Sequence, residues 1–436
     1  MLFFVIIAFF QEKSIAQTKF LNSKSSIKNP VSSKISIEKE TLNQFPDQIS
    51  SSLILRIKSS RQKLNPVDPS CIITNDSILV ASSNTEIKVL RLPYTLGVTV
   101  ELHDLIPREF KSATLFDPHL IYSSNNDKVV LCFAGFLFDK RYLFLLSSKN
   151  FSEWDINTIE IQEEGIIDYP IIQFTENQKQ ILFTFRMLKN GLTFNYAGAV
   201  NLNLDIDFIQ KISGVNTIVP IKNSRTSRAY HFASLTIDNK TQNKRLMLDV
   251  IEIARKDISV KHSLIEIDPL IIMDQKPEFK QKGSKYLLSA NNYELKKAIY
   301  EKGTLHFIYS ESSAKNNIVF CSFKDDRLIE KKVFSHKDYD LVQPDFAIKD
   351  GAYVSGMYVS ENNFPGMLII PDFNYNLTYI KYVSTSSEPY KGNYNDWGDF
   401  THVFINNKIN SVVYSGQGLR NGRDEIVIIM SKLKQD

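Results

Sequence analysis

Acidic residues recur at the start of apolar segments along this chain, in positions where a pair of carboxylates could hydrolyse a glycosidic bond. Asp168 begins DYPIIQF, Asp345 lies in QPDFAI, and Asp399 lies in DWGDFTHVF. Glycosidases use two carboxyl groups about 5 to 9.5 Å apart. These three aspartates are therefore the candidate catalytic residues of a glycosidase or lyase. The alternative is a structural role, in which each carboxylate accepts hydrogen bonds from backbone amides at a strand end.

A second group of aromatic and polar residues is suited to holding a sugar ring. Trp397, one of two tryptophans, has Tyr394 and Asp396 close to it in sequence. An aromatic face combined with a few polar groups is a common design of a ligand site. The alternative for Trp397 is a wedge between the last and first repeats. The candidate ligand-binding residues are Trp397, Tyr394, Asp396, Asp117, Tyr169 and Arg186.

Motifs for metals and cofactors are absent from the sequence. The seven histidines show no HxH or HExxH spacing, although His119 and His402 fall in segments that we expect to face a central channel. Asp338-Tyr339-Asp340 with Asp345 could supply oxygen ligands to calcium, but no EF-hand pattern supports this. Phosphate loops, nucleophile elbows and dinucleotide fingerprints are missing as well. We predict no cofactor, with calcium as the lesser alternative.

These residues sit in a repeat of about 50 residues, and the repeat predicts the architecture. Each unit begins with a polar or acidic residue beside a proline or aromatic, followed by an apolar strand. Two further apolar strands and a more polar fourth strand follow in most units, separated by Asn, Asp, Gly and Ser. The unit openings begin at Asp68, Asp117, Asp168, Asn216, Tyr293, Gln343 and Asp396.

This pattern predicts an all-β, seven-bladed β-propeller with four-stranded antiparallel blades. The long step between Asn216 and Tyr293 leaves room for an insertion around residues 269–292. The last unit lacks a fourth strand, and we expect Leu53–Lys58 (LILRIK) to supply it and close the ring. Six blades with an irregular segment, or two stacked β-sandwiches, are the competing architectures.

The N-terminal sequence predicts export. Leu2–Phe10 is apolar and too short to span a bilayer, and small residues follow at Ser14 and Ala16. We predict a signal peptide over 1–16, a flexible leader over 17–50, which is rich in Ser, Lys and Asn, and a propeller over 51–436. Because no basic stretch precedes the apolar run, the alternatives are a start upstream of Met1 or a buried first strand.

Charge and cysteine content exclude other classes of protein. The formal net charge is +4 over 436 residues without a basic cluster, so we predict no nucleic-acid partner. Cys71, Cys132 and Cys321 lie far apart in apolar sequence, which indicates three core residues and no disulfide framework. No cysteine lies within a few residues after the first apolar run, so no lipid anchor is predicted.

Three of the unit openings resemble a known family. DPHLIY at Asp117, DYPIIQF at Asp168 and NYNDWGDFTHV over 393–403 resemble elements of secreted bacterial β-propellers that are related in fold to sialidases. The resemblance covers about residues 66–434 and implies a propeller fold. Asp396 stands where this family has an arginine, and Phe400-Thr401 replaces its Tyr-Ser. The resemblance therefore bears on the fold more than on the function.

Sialidase activity itself is not indicated. It needs three arginines that converge on a substrate carboxylate, and no spacing selects three from the candidates. These candidates are Arg91, Arg186, Arg225, Arg228 and Arg420.

We expect a secreted or extracytoplasmic, bacterial binding module whose partner is a glycan or a cell-surface polysaccharide. The first alternative is a carbohydrate-active enzyme of the glycoside-hydrolase kind that uses aspartates at the propeller axis. The second is an envelope scaffold without a small ligand, held by other envelope proteins. The sequence favours a non-enzymatic role, and it does not separate the three because propeller function depends on loops.

Overall fold

The computed structural model of this protein describes most of the chain after residue 19. The described residues are 20–35, 38–42, 49–58, 68–92, 97–212, 216–222, 229–238, 244–254, 258–269, 277–373, 380–390 and 401–433. The predicted signal peptide and the candidates Tyr394, Asp396, Trp397 and Asp399 lie outside them.

The described chain is all-β, apart from two short 3-10 helices at Leu102–Leu105 and Arg108–Phe110. No helix in these ranges is long and apolar enough to cross a membrane. The strands are β1 (Phe20–Lys28), β2 (Ser32–Ile35), β3 (Glu38–Leu42), β4 (Ile49–Lys58), β5 (Ser70–Ile73), β6 (Ile78–Ser83), β7 (Glu86–Arg91), β8 (Gly97–Glu101), β9 (Thr114–Ser123), β10 (Lys128–Leu137), β11 (Lys140–Ser148), β12 (Glu153–Ile161), β13 (Ile166–Phe174), β14 (Gln180–Lys189), β15 (Leu192–Asn201), β16 (Ile206–Ile212), β17 (Ile218–Lys222), β18 (Ala229–Asp238), β19 (Arg245–Ala254), β20 (Val260–Asp268), β21 (Glu278–Phe279), β22 (Leu288–Ser289), β23 (Ala298–Glu301), β24 (Thr304–Glu311), β25 (Asn317–Lys324), β26 (Arg327–Phe334), β27 (Asp340–Ile348), β28 (Ala352–Val359), β29 (Gly366–Phe373), β30 (Lys381–Val383), β31 (His402–Asn406), β32 (Ser411–Arg420) and β33 (Arg423–Leu433).

Consecutive strands pair antiparallel and build a propeller-like ring of sheets. Turn chemistry sets the hairpins: Asn190-Gly191 and Asn421-Gly422 have positive φ at both turn residues, as tight hairpin turns require. Only β17 and β23 pair in parallel among the strand pairs of the described ranges, and this pairing merges two sets of four strands into one sheet. The sheet orders are β2-β8-β7-β6-β5, β1-β12-β11-β10-β9, β13-β14-β15-β16, β20-β19-β18-β17-β23-β24-β25-β26, β27-β28-β29-β30, β3-β4-β33-β32-β31 and the pair β21-β22.

The first strand of each set lines the axis of the ring. β5 contacts β9, β9 contacts β13, β13 contacts β17, and β17 contacts β23. The hairpin partner of β23, which is β24, contacts β27, β27 contacts β31, and β31 contacts β5. The contacts therefore return to their starting strand, which is the arrangement of a closed ring.

The predicted closure of the ring by the N-terminal region is confirmed. β4 pairs antiparallel with β33, so that Leu55 lies opposite Ile428 and Ile57 opposite Ile426. Leu55 and Ile57 are buried in one cluster with Val413 of β32. The pairing leaves β33 without the open edge that would invite another strand.

The segment that we predict as a flexible leader contains strands. β1, β2 and β3, which we call the N-terminal strap, pair antiparallel with β12, β8 and β4 respectively. The polar composition of this segment did not reveal β1, because most of its side chains are exposed. β1 is held by backbone pairing with the edge of β12. A backbone ladder needs no apolar side chains, so polar sequence does not exclude it.

Buried clusters between adjacent sheets hold the ring together. Cys71, Cys132 and Cys321 are free and buried, as predicted.

In the predicted insertion, the short hairpin of β21 and β22 packs into the cluster formed by β27–β29 and β31–β33. The backbone of Tyr390 holds Gln281 of this hairpin, since its N–H donates to Oε1 at 2.8 Å and its carbonyl accepts from Nε2 at 2.8 Å.

Candidate functional site

A repeated backbone conformation, a residue with positive φ before a proline, places side chains around the axis. Asp68, Asp117, Tyr169 and Gln343 precede prolines at 69, 118, 170 and 344, and all four have positive φ, between 40° and 57°. This region is unfavourable for residues other than glycine and costs on the order of 1–3 kcal/mol. The strand register shifts at three of these positions, between Phe116 and His119, between Asp168 and Ile171, and between Val342 and Asp345. We call this end of the axis, where the first strands begin, the front mouth.

Asp117 connects neighbouring strand sets. Its carboxylate Oδ2 accepts the backbone N–H of Tyr169 at 3.1 Å, and its own N–H donates to Asn84 Oδ1 at 2.9 Å. Asn84 in turn donates to Asp68 Oδ2 at 2.7 Å. Asp117 therefore ties neighbouring strand sets together through its carboxylate and its backbone N–H, and it also lines a small cavity at the front mouth.

The residues after three of these prolines, Pro69, Pro118 and Pro344, repeat one interaction around the ring. Ser70 Oγ accepts the N–H of Leu120 at 3.1 Å, and His119 Nδ1 accepts the N–H of Ile172 at 3.2 Å. Asp345 Oδ2 accepts the N–H of Val403 at 2.7 Å. In each case the donor belongs to the next inner strand, so these polar side chains tie adjacent strand sets together.

Two histidines meet on the axis and are neutral. The rings of His119 and His402 lie edge to face with centroids 5.6 Å apart. Nδ1 of His402 accepts the N–H of Cys71 at 3.4 Å, the same kind of bond that His119 makes. Burial lowers the pKa of His119 to about 3 and holds the pKa of His402 well below its usual value. Each imidazole is therefore neutral at neutral pH, with Nδ1 as the acceptor and its single N–H on Nε2.

Lys297 neutralises Asp345 in the interior. Its ammonium donates to Asp345 Oδ2 at 2.7 Å and to the carbonyls of Phe346 at 3.0 Å and Val403 at 3.1 Å. Both side chains are buried. Asp345 is therefore a paired, structural carboxylate.

The cavity enclosed by these groups is too small for a sugar. It measures about 30 Å³ and is lined by Asp117, Tyr169, Lys297, Asp345 and His402, among others. A volume of this size holds one or two water molecules. A ligand of the size of a monosaccharide must lie outside this cavity, on the surface of the mouth.

That surface carries a cluster of ion pairs, which we call the Arg186 cluster. Arg186 binds Asp168 through Nε and Glu294 Oε1 through Nη1 at 3.0 Å. Nη1 also donates to Thr217 Oγ1 at 3.0 Å. Lys296 lies 3.6 Å from Glu294 Oε2. Two carboxylates and two cations balance the charge.

The Arg186 cluster keeps its charges and covers Tyr169. Burial alone would raise the pKa of Glu294, but Lys296 and Arg186 bring it below its usual value. Glu294 and Asp168 likewise raise the pKa of Arg186 against the effect of burial. Lys296 Nζ lies 4.3 Å from the centre of the Tyr169 ring, and Arg186 Cζ lies 5.6 Å from it. These distances allow cation–π contacts from both cations.

The structure thus brings together three of the predicted site residues, Asp168, Tyr169 and Arg186. Sequence reasoning missed Glu294 and Lys296, although both lie in YELKKAIY, a segment recognised as a unit opening. Three charged residues within four positions of an apolar strand opening, Glu294, Lys296 and Lys297, were the available signal.

The residues considered for a calcium site make other contacts in the structure. Asp340 accepts from Lys315 at 3.1 Å and from the N–H of Asn316 at 2.8 Å. Tyr339 stacks on His336 with ring centroids 4.3 Å apart. Within the described ranges, no group of three or more His, Cys, Asp or Glu is placed to hold a metal ion.

Comparisons with known proteins give distant structural neighbours. No protein-family model and no curated protein matches the chain. A putative glycoside hydrolase from Parabacteroides distasonis is similar at 10% identity over 60% of this chain and 88% of its own, with a TM-score of 0.31. A GH43 endo-arabinanase from Bacillus licheniformis is similar at 11% identity over 72% and 96%, with a TM-score of 0.30. An ACO/RPE65 chimera is similar at 8% identity over 85% and 94%, with a TM-score of 0.47.

Proposed function

We propose that this chain is an exported β-propeller that binds a glycan at its front mouth and acts as a binding module. The observation that carries the proposal is the Arg186 cluster, in which fixed hydrogen-bond donors and acceptors surround an aromatic ring. A neutral, hydroxyl-rich ligand needs both kinds of group, and a rigid site binds it with less loss of entropy.

Access and charge balance support a neutral ligand. The side chains of Arg186 and Asp168 are 19% and 26% exposed, so polar atoms of the cluster can reach a ligand at the surface. Because two cations face two carboxylates, the cluster offers no excess charge to an ionic ligand. Asp396 and Trp397, which precede β31, remain candidate ligand residues in this proposal.

The pairing of the carboxylates favours binding over catalysis. A glycosidase needs one carboxyl group that keeps its proton near neutral pH because its pKa is raised. Asp168 and Asp345 are each in an ion pair with a cation, and the pKa of Glu294 is lowered. If the chain is nevertheless an enzyme, a glycoside hydrolase that uses Asp168 and Asp399 is the form we would expect.

We propose further that the ring has seven four-stranded blades. Support comes from the strand sets that follow the unit openings and from β4, which supplies the fourth strand of the last set. In this proposal the eight-stranded sheet is two blades joined by the parallel contact of β17 and β23. An experimental structure with another number of blades would contradict it.

The test is glycan binding by matched arginine variants. The wild-type chain from Gln17 is screened on a glycan array, and the best glycan is titrated by calorimetry into Arg186→Lys and Arg245→Lys. Lysine keeps the charge but loses the planar fork that binds two carboxylates. We expect Arg186→Lys to weaken binding about tenfold, a loss of about 1.4 kcal/mol.

Arg245 is the control because it pairs with Glu266 at 3.0 Å on the exposed surface of another strand set. We expect Arg245→Lys to bind as the wild type does. Thermal melting checks that both variants are folded. No binding by the wild type, or equal binding by a folded Arg186→Lys, would overturn the proposal. Release of reducing sugar that Asp168→Asn abolishes would replace it with the enzymatic alternative.

A further inference from the structure

The opposite end of the axis contains a second and larger cavity, which we call the rear cavity. Its volume is about 120 Å³, enough for several water molecules or a small ion. It lies where the first strands end and is bounded by Gln173, Lys222, Phe346 and Asn406, among others. The side chains of Lys297 and His402 separate it from the front mouth, since both line the two cavities.

Lys222 is the unusual group in this cavity. It is the last residue of β17 and is partly buried. Its backbone pairs with β23, but its side-chain ammonium makes no hydrogen bond or ion pair with any residue in the part of the chain that the structure describes. Burial lowers the pKa of Lys222 to about 8, and the nearby charge of Lys297 contributes to the shift, while Glu301 and Asp345 oppose it.

The neighbouring charges do not compensate Lys222. Asp345 is already engaged by Lys297 at 2.7 Å and by the N–H of Val403. Glu301 acts on Lys222 electrostatically without forming an ion pair, and His402 is neutral. A partly buried ammonium without a counter-ion is unfavourable, and an anion in the cavity would reduce that cost.

We propose that the rear cavity binds a small oxyanion of the size of acetate or phosphate, with the Lys222 ammonium as its anchor. Gln173 lies in the same wall, where its side chain is nearly buried, and supplies an amide near the anion. This site is separate from the front mouth and does not depend on the function proposed there.

The first test measures the reactivity of the Lys222 amine in the wild-type protein. A short pulse of acetic anhydride labels neutral amines, and mass spectrometry reports labelling at Lys222 across the pH range. Phosphate or acetate is added at constant ionic strength, which is kept with sodium chloride. A bound anion favours the charged amine, so we expect labelling at pH 7 to fall about tenfold, equivalent to a rise of one pKa unit.

The second test compares two lysine-to-methionine variants. Lys222→Met should lose the binding of phosphate or acetate measured by calorimetry, for which we expect a Kd of about 1 mM or lower. Lys302→Met is the control, because Lys302 is exposed near the same end of the ring and pairs with Asp350 at 3.5 Å. It removes the same charge and should bind as the wild type does.

Each outcome of the two tests either supports the anion site or overturns it. Protection of Lys222 by either anion at constant ionic strength supports the proposal, and protection by neither overturns it. Equal anion binding by a folded Lys222→Met also overturns it. If that variant fails to fold, the labelling of the wild-type protein still decides.

Discussion

Removal of the strand that closes the ring should abolish folding, whereas removal of the N-terminal strap alone should not. A deletion of residues 1–60 removes β4, and a deletion of residues 1–45 removes β1, β2 and β3 but retains β4. β4 pairs with β33 over most of its length. The side chains of Ile54, Leu55 and Ile57 on β4 are at most 4% exposed.

The structure gives the magnitude of this effect. Burial of three aliphatic side chains is worth about 5–9 kcal/mol, at 1.5–3 kcal/mol each. Arg56 also lies 3.6 Å from Glu425, and loss of one partner of such a buried pair costs about 3–5 kcal/mol. Together these losses come to about 8–14 kcal/mol, which is comparable to the total stability of a typical domain, about 5–15 kcal/mol. The strap buries little apolar surface in β1, so its loss should cost much less.

Urea unfolding followed by circular dichroism measures both truncated proteins and two point variants. We expect the 1–45 deletion to unfold cooperatively and the 1–60 deletion to show no transition. Leu55→Ala should lose about 2–5 kcal/mol, whereas Leu21→Ala on β1, which is 58% exposed in the wild type, should stay within about 0.5 kcal/mol. Equal stability of the two deletions would refute the reasoning about closure.

Two further predictions concern single side chains. Burial raises the pKa of Asp424 to about 6 in the folded protein. Its contribution to the stability of the folded state is therefore greatest below about pH 4, where Asp424 is protonated, and is lost as the pH rises through 6 and this buried carboxyl group ionises. Asp424→Asn should therefore gain about 1–3 kcal/mol over the wild type between pH 4 and pH 8, and pH-dependent urea titrations that run parallel for the two proteins would contradict this. Gly198→Ala should lose about 1–3 kcal/mol, because its Cβ would lie 2.2 Å from the ring of Phe183, whereas Gly416→Ala meets the flexible Met367 sulfur at 3.0 Å and should lose less in thermal melts. Equal losses by the two alanine variants would show that the Phe183 ring yields.

The sequence predicts the strands well because their signals are local. Each inner strand follows a polar or aromatic opening, and β-branched residues between Asn, Asp and Gly turns mark the hairpins. The closing strand was predictable because the last repeat lacks a fourth member and LILRIK supplies an apolar segment of the right length. β1 was not predictable, since its position depends on the free backbone edge of β12, which composition does not report.

The candidate site was predictable only in part, for a similar reason. Asp168, Tyr169 and Arg186 lie in adjacent strands of one unit, and their proximity follows from the hairpin that joins those strands. Glu294 joins them from a segment more than 100 residues away in sequence. Only the curvature of the ring brings that segment to the same mouth, and a repeat of about 50 residues gives no measure of curvature. Asp345 illustrates the converse, because its buried partner Lys297 turns a plausible catalytic carboxylate into a structural one.

Because β4 and β33 close the ring, the newly made chain cannot complete its fold until β33 has been synthesised. β4 leaves the ribosome early, but its partner is Arg423–Leu433, so about 370 residues must be added before the two can pair. At synthesis rates of about 5–20 residues per second, this interval lasts roughly 20–75 s. During that time β4 can pair with β3, but its other edge has no partner and is a target for chaperones or for pairing with another nascent chain. β33, which is made long after β4, is therefore the strand that completes the ring, and a chain that stops short of β33 should be recognised by quality control as unfolded.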